Sequence, residues 1–116
     1  MSGAASRRKG LTGEHEVAAI FRRHGFEVRG LEGTGDHLCI MAPRTPPALG
    51  GWPSAHLDGL TIHSEVKRQE RLQLWAWLAQ AEAEAPPGSV PVVSFRRNHS
   101  PWYAAIRLET LAELLA

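Results

Sequence analysis

Three residues of the chain, Asp36, Glu65 and Lys67, have types and a spacing suited to handling a cation, and Glu14 is a fourth candidate. Glu65 and Lys67 stand two apart in an alternating run, so on a strand both project from one face while Val66 projects from the other. If residues 36–41 and 60–65 pair antiparallel, a register that opposes Met41 to Leu60 also opposes Asp36 to Glu65, with β-carbons about 5 Å apart. Two carboxylates so close repel unless a cation lies between them. Hard oxygen donors with open positions suit Mg²⁺, with Mn²⁺ as a substitute. A lysine beside such an ion can orient a water, assist its deprotonation, or stabilise charge growing on a phosphate. These are the parts of metal-assisted phosphodiester hydrolysis.

The surrounding sequence shows which elements must hold these groups. A helix is expected from Thr12, a capping residue, to His24, with Gly25 as its stop. Leu11, Val17, Ala18 and Phe21 form its apolar stripe, and Glu14 falls in that same sector, whereas Glu16 lies on the other side with Ile20 and Arg23. A carboxylate on a core-facing stripe needs a partner or a metal, although a first-turn acid is also favoured by the helix dipole. Residues 26–31 read as a strand, 32–35 as a Gly-rich turn and 36–41 as a short apolar strand. The Pro- and Gly-rich stretch 42–59 reads as a long loop. In residues 60–67, Leu60, Ile62, Ser64 and Val66 occupy one face, with Thr61, His63, Glu65 and Lys67 on the other. A second helix is expected over 69–85, strands over 91–97 and 102–108, and a short helix over 108–115. The order implies an α/β domain: a mixed β-sheet with flanking helices. Asp58 competes for the aspartate role, but on nearly the same strand it would stand roughly 23 Å from Glu65, so Asp36 is preferred.

At 116 residues the chain suits one compact domain, expected over 11–116, behind a flexible basic tail over 1–10. One cysteine excludes a disulfide framework and any multi-cysteine metal cradle, which points to a reducing, cytoplasmic setting. No apolar run reaches the ~20 residues of a membrane span, and no hydrophobic run follows the basic start, so neither a membrane nor a secretory signal is expected. The formal charge is only +1, yet the basic residues cluster. Arg7, Arg8 and Lys9 read as a tail with weak phosphate contacts, while Arg68, Arg71, Arg96 and Arg97 flank the carboxylates and suit phosphate positioning. His37, Cys39, His56 and His63 match no zinc-ligand spacing, and Cys39 reads as a core filler. Gly30, Gly33 and Gly35 precede a strand and so form no dinucleotide fingerprint. Trp75 and Trp77 cannot share a helix face. Trp77 joins Leu74, Leu78 and Ala81, and Trp75 joins Leu72 and Ala79, so one side is expected in the core and the other against a partner or under the long loop.

Taken together, these motifs resemble the PD-(D/E)xK nucleases, and among them the small Holliday junction resolvases of archaea and phages. The matching pieces are Lys9-Gly10 before Glu14, Gly25-Phe26 closing the helix, Gly35-Asp36 entering a strand, Glu65-Val66-Lys67, and the strand from Val92 to Arg97. Gly35 stands where the family's name pattern has proline, and the Asp36–Glu65 spacing is long. The resemblance spans about residues 9 to 108. It implies a restriction-endonuclease-like αβββαβ core and Mg²⁺-dependent cleavage of four-way DNA junctions, recognised by shape, by a homodimer. It further implies Asp36 and Glu65 as metal ligands, Lys67 as the catalytic lysine, and Glu14 completing the acidic cluster. Other branched or linear DNA substrates, or a non-catalytic DNA-binding role on the same scaffold, are the alternatives.

Overall fold

A computed structural model describes residues 3–30, 36–41 and 59–116, excepting the side chains of residues 3–11 and of Met41. The turn at 32–35, the stretch 42–58 with Asp58 and His56, and the side chains of Arg7, Arg8 and Lys9 lie outside the described residues. The elements run α1 Gly3–Arg23, β1 Phe26–Gly30, β2 His37–Met41, β3 Thr61–Arg68, α2 Leu74–Glu84, β4 Val90–Arg96, β5 Tyr103–Ala105 and α3 Leu108–Leu115. The strands form one five-stranded mixed sheet in the order β1-β2-β3-β4-β5, flanked by helices. β1, β2 and β3 form an antiparallel meander, β4 lies parallel to β3, and β5 returns antiparallel to β4. The parallel pair follows from α2: a crossover helix is what lets consecutive strands run the same way.

The β2–β3 register is the one read from the sequence, with His37 opposite Ser64 and Ile40 opposite Thr61. Asp36 immediately precedes β2 and therefore falls beside Glu65. β3 has the expected two faces. The even-numbered face carries Ser64, whose hydroxyl is 2.9 Å from that of Ser94 in a buried pair, and it lies under α1, which buries Val17 and Ala18. Gly13 allows the approach: a β-carbon there would come within 3.2 Å of the Arg68 β-carbon and 3.3 Å of the Trp102 ring. The odd-numbered face lies under α2, where Trp77, Ala81 and Val93 form a buried apolar cluster backed by Leu74, Leu78, Phe95 and Ala105.

Three boundaries differ from the expected ones by more than one residue. Helix α1 begins at Gly3 rather than near Thr12, because Ala, Ser, Arg and Lys at 4–9 are compatible with a helix and no proline interrupts them. Its end is as expected: Gly25 takes φ +89° and its amide donates to the Arg22 carbonyl at 3.1 Å. Helix α2 begins at Leu74 rather than Gln69, since the Gln69 amide is held by the Arg96 carbonyl at 3.1 Å and so extends the sheet. β5 is only three residues long, because Leu108 already belongs to α3. Trp77 is buried at 4% exposure while Trp75 is 86% exposed, so the two-sided reading of α2 resolves with the Trp77 side as core. Among the described residues, no helix is long and apolar enough to cross a membrane.

Candidate metal centre

Asp36 and Glu65 come together beneath α2 through two separate constraints. Strand pairing sets their positions, and the Val66 amide donates to Asp36 Oδ1 at 3.3 Å, fixing the carboxyl across the β2–β3 pair. Both are almost wholly removed from solvent, at 3% and 2% exposure. Glu65 sits beside Val93 in the parallel ladder, so its floor is the apolar cluster of Trp77, Ala81 and Val93. Lys67, two residues on and on the same face, places Nζ 3.4 Å from Glu65 Oε1 and keeps 19% of its side chain exposed.

This setting perturbs Asp36 strongly. Its carboxyl is pushed up from 3.8 to about 8, first by burial, then by the hydrogen bond its protonated form donates to the Glu65 carboxyl and by that group's like charge, with the Val66 amide opposing and Glu84 adding to the rise. Without a cation Asp36 therefore keeps its proton through neutral pH.

Two further residues complete the arrangement. His63 lies on the same face of β3, with Nε2 3.5 Å from Glu65 Oε2 and 3.8 Å from Asp36 Oδ2. It is fully buried, and neither ring nitrogen has a hydrogen-bond partner. Glu84, the last residue of α2, is exposed and closes the group from the helix side. One potential ligand atom from each of Asp36, His63, Glu65 and Glu84 lies within 4.8 Å of the others. Gln80 donates to Glu84 Oε1 at 3.3 Å, one turn back on the helix. The polar group thus spans three elements and carries three carboxyls and one imidazole around a common point.

Glu14 stands apart from this group. It projects from α1, which packs against the other face of β3, and its carboxyl is raised by partial burial, with His15 opposing, rather than by Asp36 or Glu65. Its helix neighbour Glu16 is the engaged carboxylate. Glu16 Oε2 accepts from Arg96 Nη1 at 2.9 Å and from Trp102 Nε1 at 2.7 Å, and the Arg96 guanidinium lies 5.8 Å from the Trp102 ring centroid. Arg96 is thereby tied to the α1–sheet joint. Arg68 lies on that same face, while Arg71 and Arg97 are exposed. Cys39 is fully buried, and burial pushes its thiol up to about 12, which suits the inert core position expected of it.

Neither His63 nor Glu84 is among the site residues expected from the sequence. His63 had a signal, since it shares parity with Glu65 and Lys67. Glu84 had a weaker one: it follows Trp77 and Ala81 at helical spacing, so it continues the stripe that faces the sheet. Comparison with protein-family models, with curated proteins and with solved structures finds no match for the chain.

Proposed function

We propose that the chain is a metal-dependent endonuclease of the PD-(D/E)xK type that cleaves branched DNA, with the four-way junction as its substrate, acting as a homodimer in the cytoplasm. One observation carries this reading: Asp36 and Glu65 face each other across paired strands with the Lys67 ammonium 3.4 Å from Glu65. The order helix, three-stranded meander, helix, parallel strand supports it, being the αβββαβ order that the resemblance implies. The buried free thiol of Cys39 suits a reducing compartment.

In this reading Asp36 and Glu65 are the residues that would hold a divalent cation, and such an ion would supply a more acidic bound water and charge to offset that of the scissile phosphate. Lys67 reaches outward from the buried carboxylates, where its ammonium would offer hydrogen bonds that orient the attacking water and offset charge growing on a phosphate oxygen. The exposed Arg71 and Arg97 are available for phosphate contacts; Arg96, paired with Glu16, contributes to the fold. The N-terminal part of α1 brings Arg7, Arg8 and Lys9 as further basic groups.

A second reading is favoured by the burial of the carboxylates at 3% and 2% exposure. An ion so enclosed could staple β2, β3 and α2 together in a DNA-binding module that does not cut. A substrate panel separates the two. Wild-type chain is incubated with a four-way junction, a fork and a linear duplex, with and without Mg²⁺ or Mn²⁺. The nuclease reading expects metal-dependent cutting of the junction, lost in Asp36→Asn, Glu65→Gln and Lys67→Ala while gel-shift binding persists. It expects Glu14→Gln to keep cutting, since Glu14 is not in the close group of Asp36, His63, Glu65 and Glu84. Metal binding with no cutting of any substrate supports the module, and cutting by Glu65→Gln at the wild-type rate refutes the nuclease assignment.

A further inference from the structure

A fully buried imidazole with two unpartnered ring nitrogens is costly, because a desolvated polar group without a hydrogen bond costs about 1–3 kcal/mol. His63 is in that position, and its Nε2 edge is turned toward the two carboxylates rather than toward apolar neighbours. We infer that His63 is a direct metal ligand and that Asp36, His63 and Glu65, with Glu84 on the open fourth side, form a centre selective for Zn²⁺- or Co²⁺-like ions over Mg²⁺. This rests on the reading of Asp36 and Glu65 as cation ligands and deepens it.

Geometry and donor type agree. Two ligands each about 2.1 Å from a tetrahedral ion stand about 3.4 Å apart, whereas neighbouring ligands of an octahedral Mg²⁺ stand about 3.0 Å apart. The separations from His63 Nε2 are 3.5 and 3.8 Å, at or somewhat beyond the tetrahedral spacing and further beyond the octahedral one, in a set whose ligand atoms lie within 4.8 Å of one another. Imidazole nitrogen favours the later first-row ions, while Mg²⁺ prefers an all-oxygen shell with several retained waters. The enclosure acts in the same direction. With Asp36, His63 and Glu65 at 3%, 0% and 2% exposure, the pocket holds few of the waters that Mg²⁺ keeps. The exposed Glu84 leaves one side where a water or a substrate oxygen can replace its carboxylate, as an open catalytic site requires.

The test is metal binding by the full chain, independent of any cleavage. Titration with Co²⁺ should give the intense visible bands of a tetrahedral centre, Zn²⁺ should displace the Co²⁺, and Mg²⁺ should compete only weakly. Proton NMR of the Co²⁺ form should show a strongly shifted, solvent-exchangeable imidazole N–H, a readout that needs no variant. His63→Gln should remove that signal and lower Co²⁺ affinity about tenfold or more while changing Mg²⁺ affinity little. His63→Asn and metal-free melting curves of both variants separate loss of a ligand from loss of the fold. Absence of the shifted N–H, or Co²⁺ affinity of a folded His63→Gln within about twofold of wild type, overturns the inference. Junction cutting with Mg²⁺ that His63→Gln keeps and Glu65→Gln loses overturns it too, while leaving the nuclease reading standing. Co²⁺ bound through His63 with no DNA cut does the reverse.

Discussion

Replacing Asp36 by asparagine should reverse how the metal-free protein responds to pH. In the native chain Asp36 keeps a proton up to about 8, whereas in the unfolded chain it loses it near 3.8. Between those values the native state binds more protons than the unfolded state, so this group's effect is to lower stability as pH rises. One proton corresponds to at most about 1.4 kcal/mol per pH unit, so from about pH 5 to about pH 8 the ceiling is about 4 kcal/mol. Because Asp36 titrates together with its neighbour, the loss is smaller than this ceiling, on the order of 2 kcal/mol. His37 acts with the opposite sign. Burial, then Arg22 and His15, lower it from 6.5, so its contribution is present above 6.5 and fades as pH falls. That term is common to both proteins and cancels in their difference. Asparagine keeps the shape and cannot ionise, so Asp36→Asn should lose the downward slope and exceed wild type in stability at the alkaline end. The measurement is urea unfolding with chelator present, in steps across that pH range. Repeating it with divalent metal should flatten the wild-type curve, because an ion displaces the Asp36 proton. Parallel pH profiles for the two metal-free proteins would refute the buried carboxyl pair.

Two further outcomes test the scaffold. Glu16→Ala should cost about 1–3 kcal/mol in urea unfolding near neutral pH, since it strips the acceptor from both Arg96 and Trp102 in a half-buried joint; a loss below about 0.5 kcal/mol would show that this junction does not secure α1. Trp77→Ala should cost about 3–5 kcal/mol, whereas Trp75→Ala, at a side chain 86% exposed, should stay within about 0.5 kcal/mol of wild type. Equal losses at the two tryptophans would mean that α2 presents a different face to the sheet.

The parts of the fold that were legible rest on short-range periodicity. The alternation from Leu60 to Lys67 named both faces of β3, and an antiparallel register chosen to oppose Asp36 to Glu65 matches the observed pairing of His37 with Ser64. Gly25 marked the end of α1 because only a left-handed residue closes that helix and lets the chain turn into β1. Boundaries set by tertiary partners were not legible. Gln69 to Gln73 has helix-compatible composition, but the Gln69 amide pairs with Arg96 and the Glu70 carboxylate accepts the Asn98 amide at 2.6 Å, which holds the segment against β4. Nothing local to residues 69–73 announces a contact made nearly thirty positions away.

The site divided along the same line. Asp36, Glu65 and Lys67 are related by strand geometry alone, so parity and register suffice to bring them together. Glu14 was grouped with them from helix periodicity, which says that a residue faces the core but not which side of the sheet that core lies on. With α1 over Ser64 and α2 over Glu65, the close group of potential ligand atoms takes its helix member from Glu84, and Glu14 is not among them. His63 is visible on the right face, yet zinc-motif spacing does not pick it out, being a criterion suited to ligands clustered in one loop. A centre assembled from a strand entrance, a neighbouring strand and the end of a crossover helix has no such spacing. Its signature is a polar face on a strand whose partner helix is apolar until its last turn, and the run His63, Glu65, Lys67 beneath Trp77, Ala81 and Glu84 has that form.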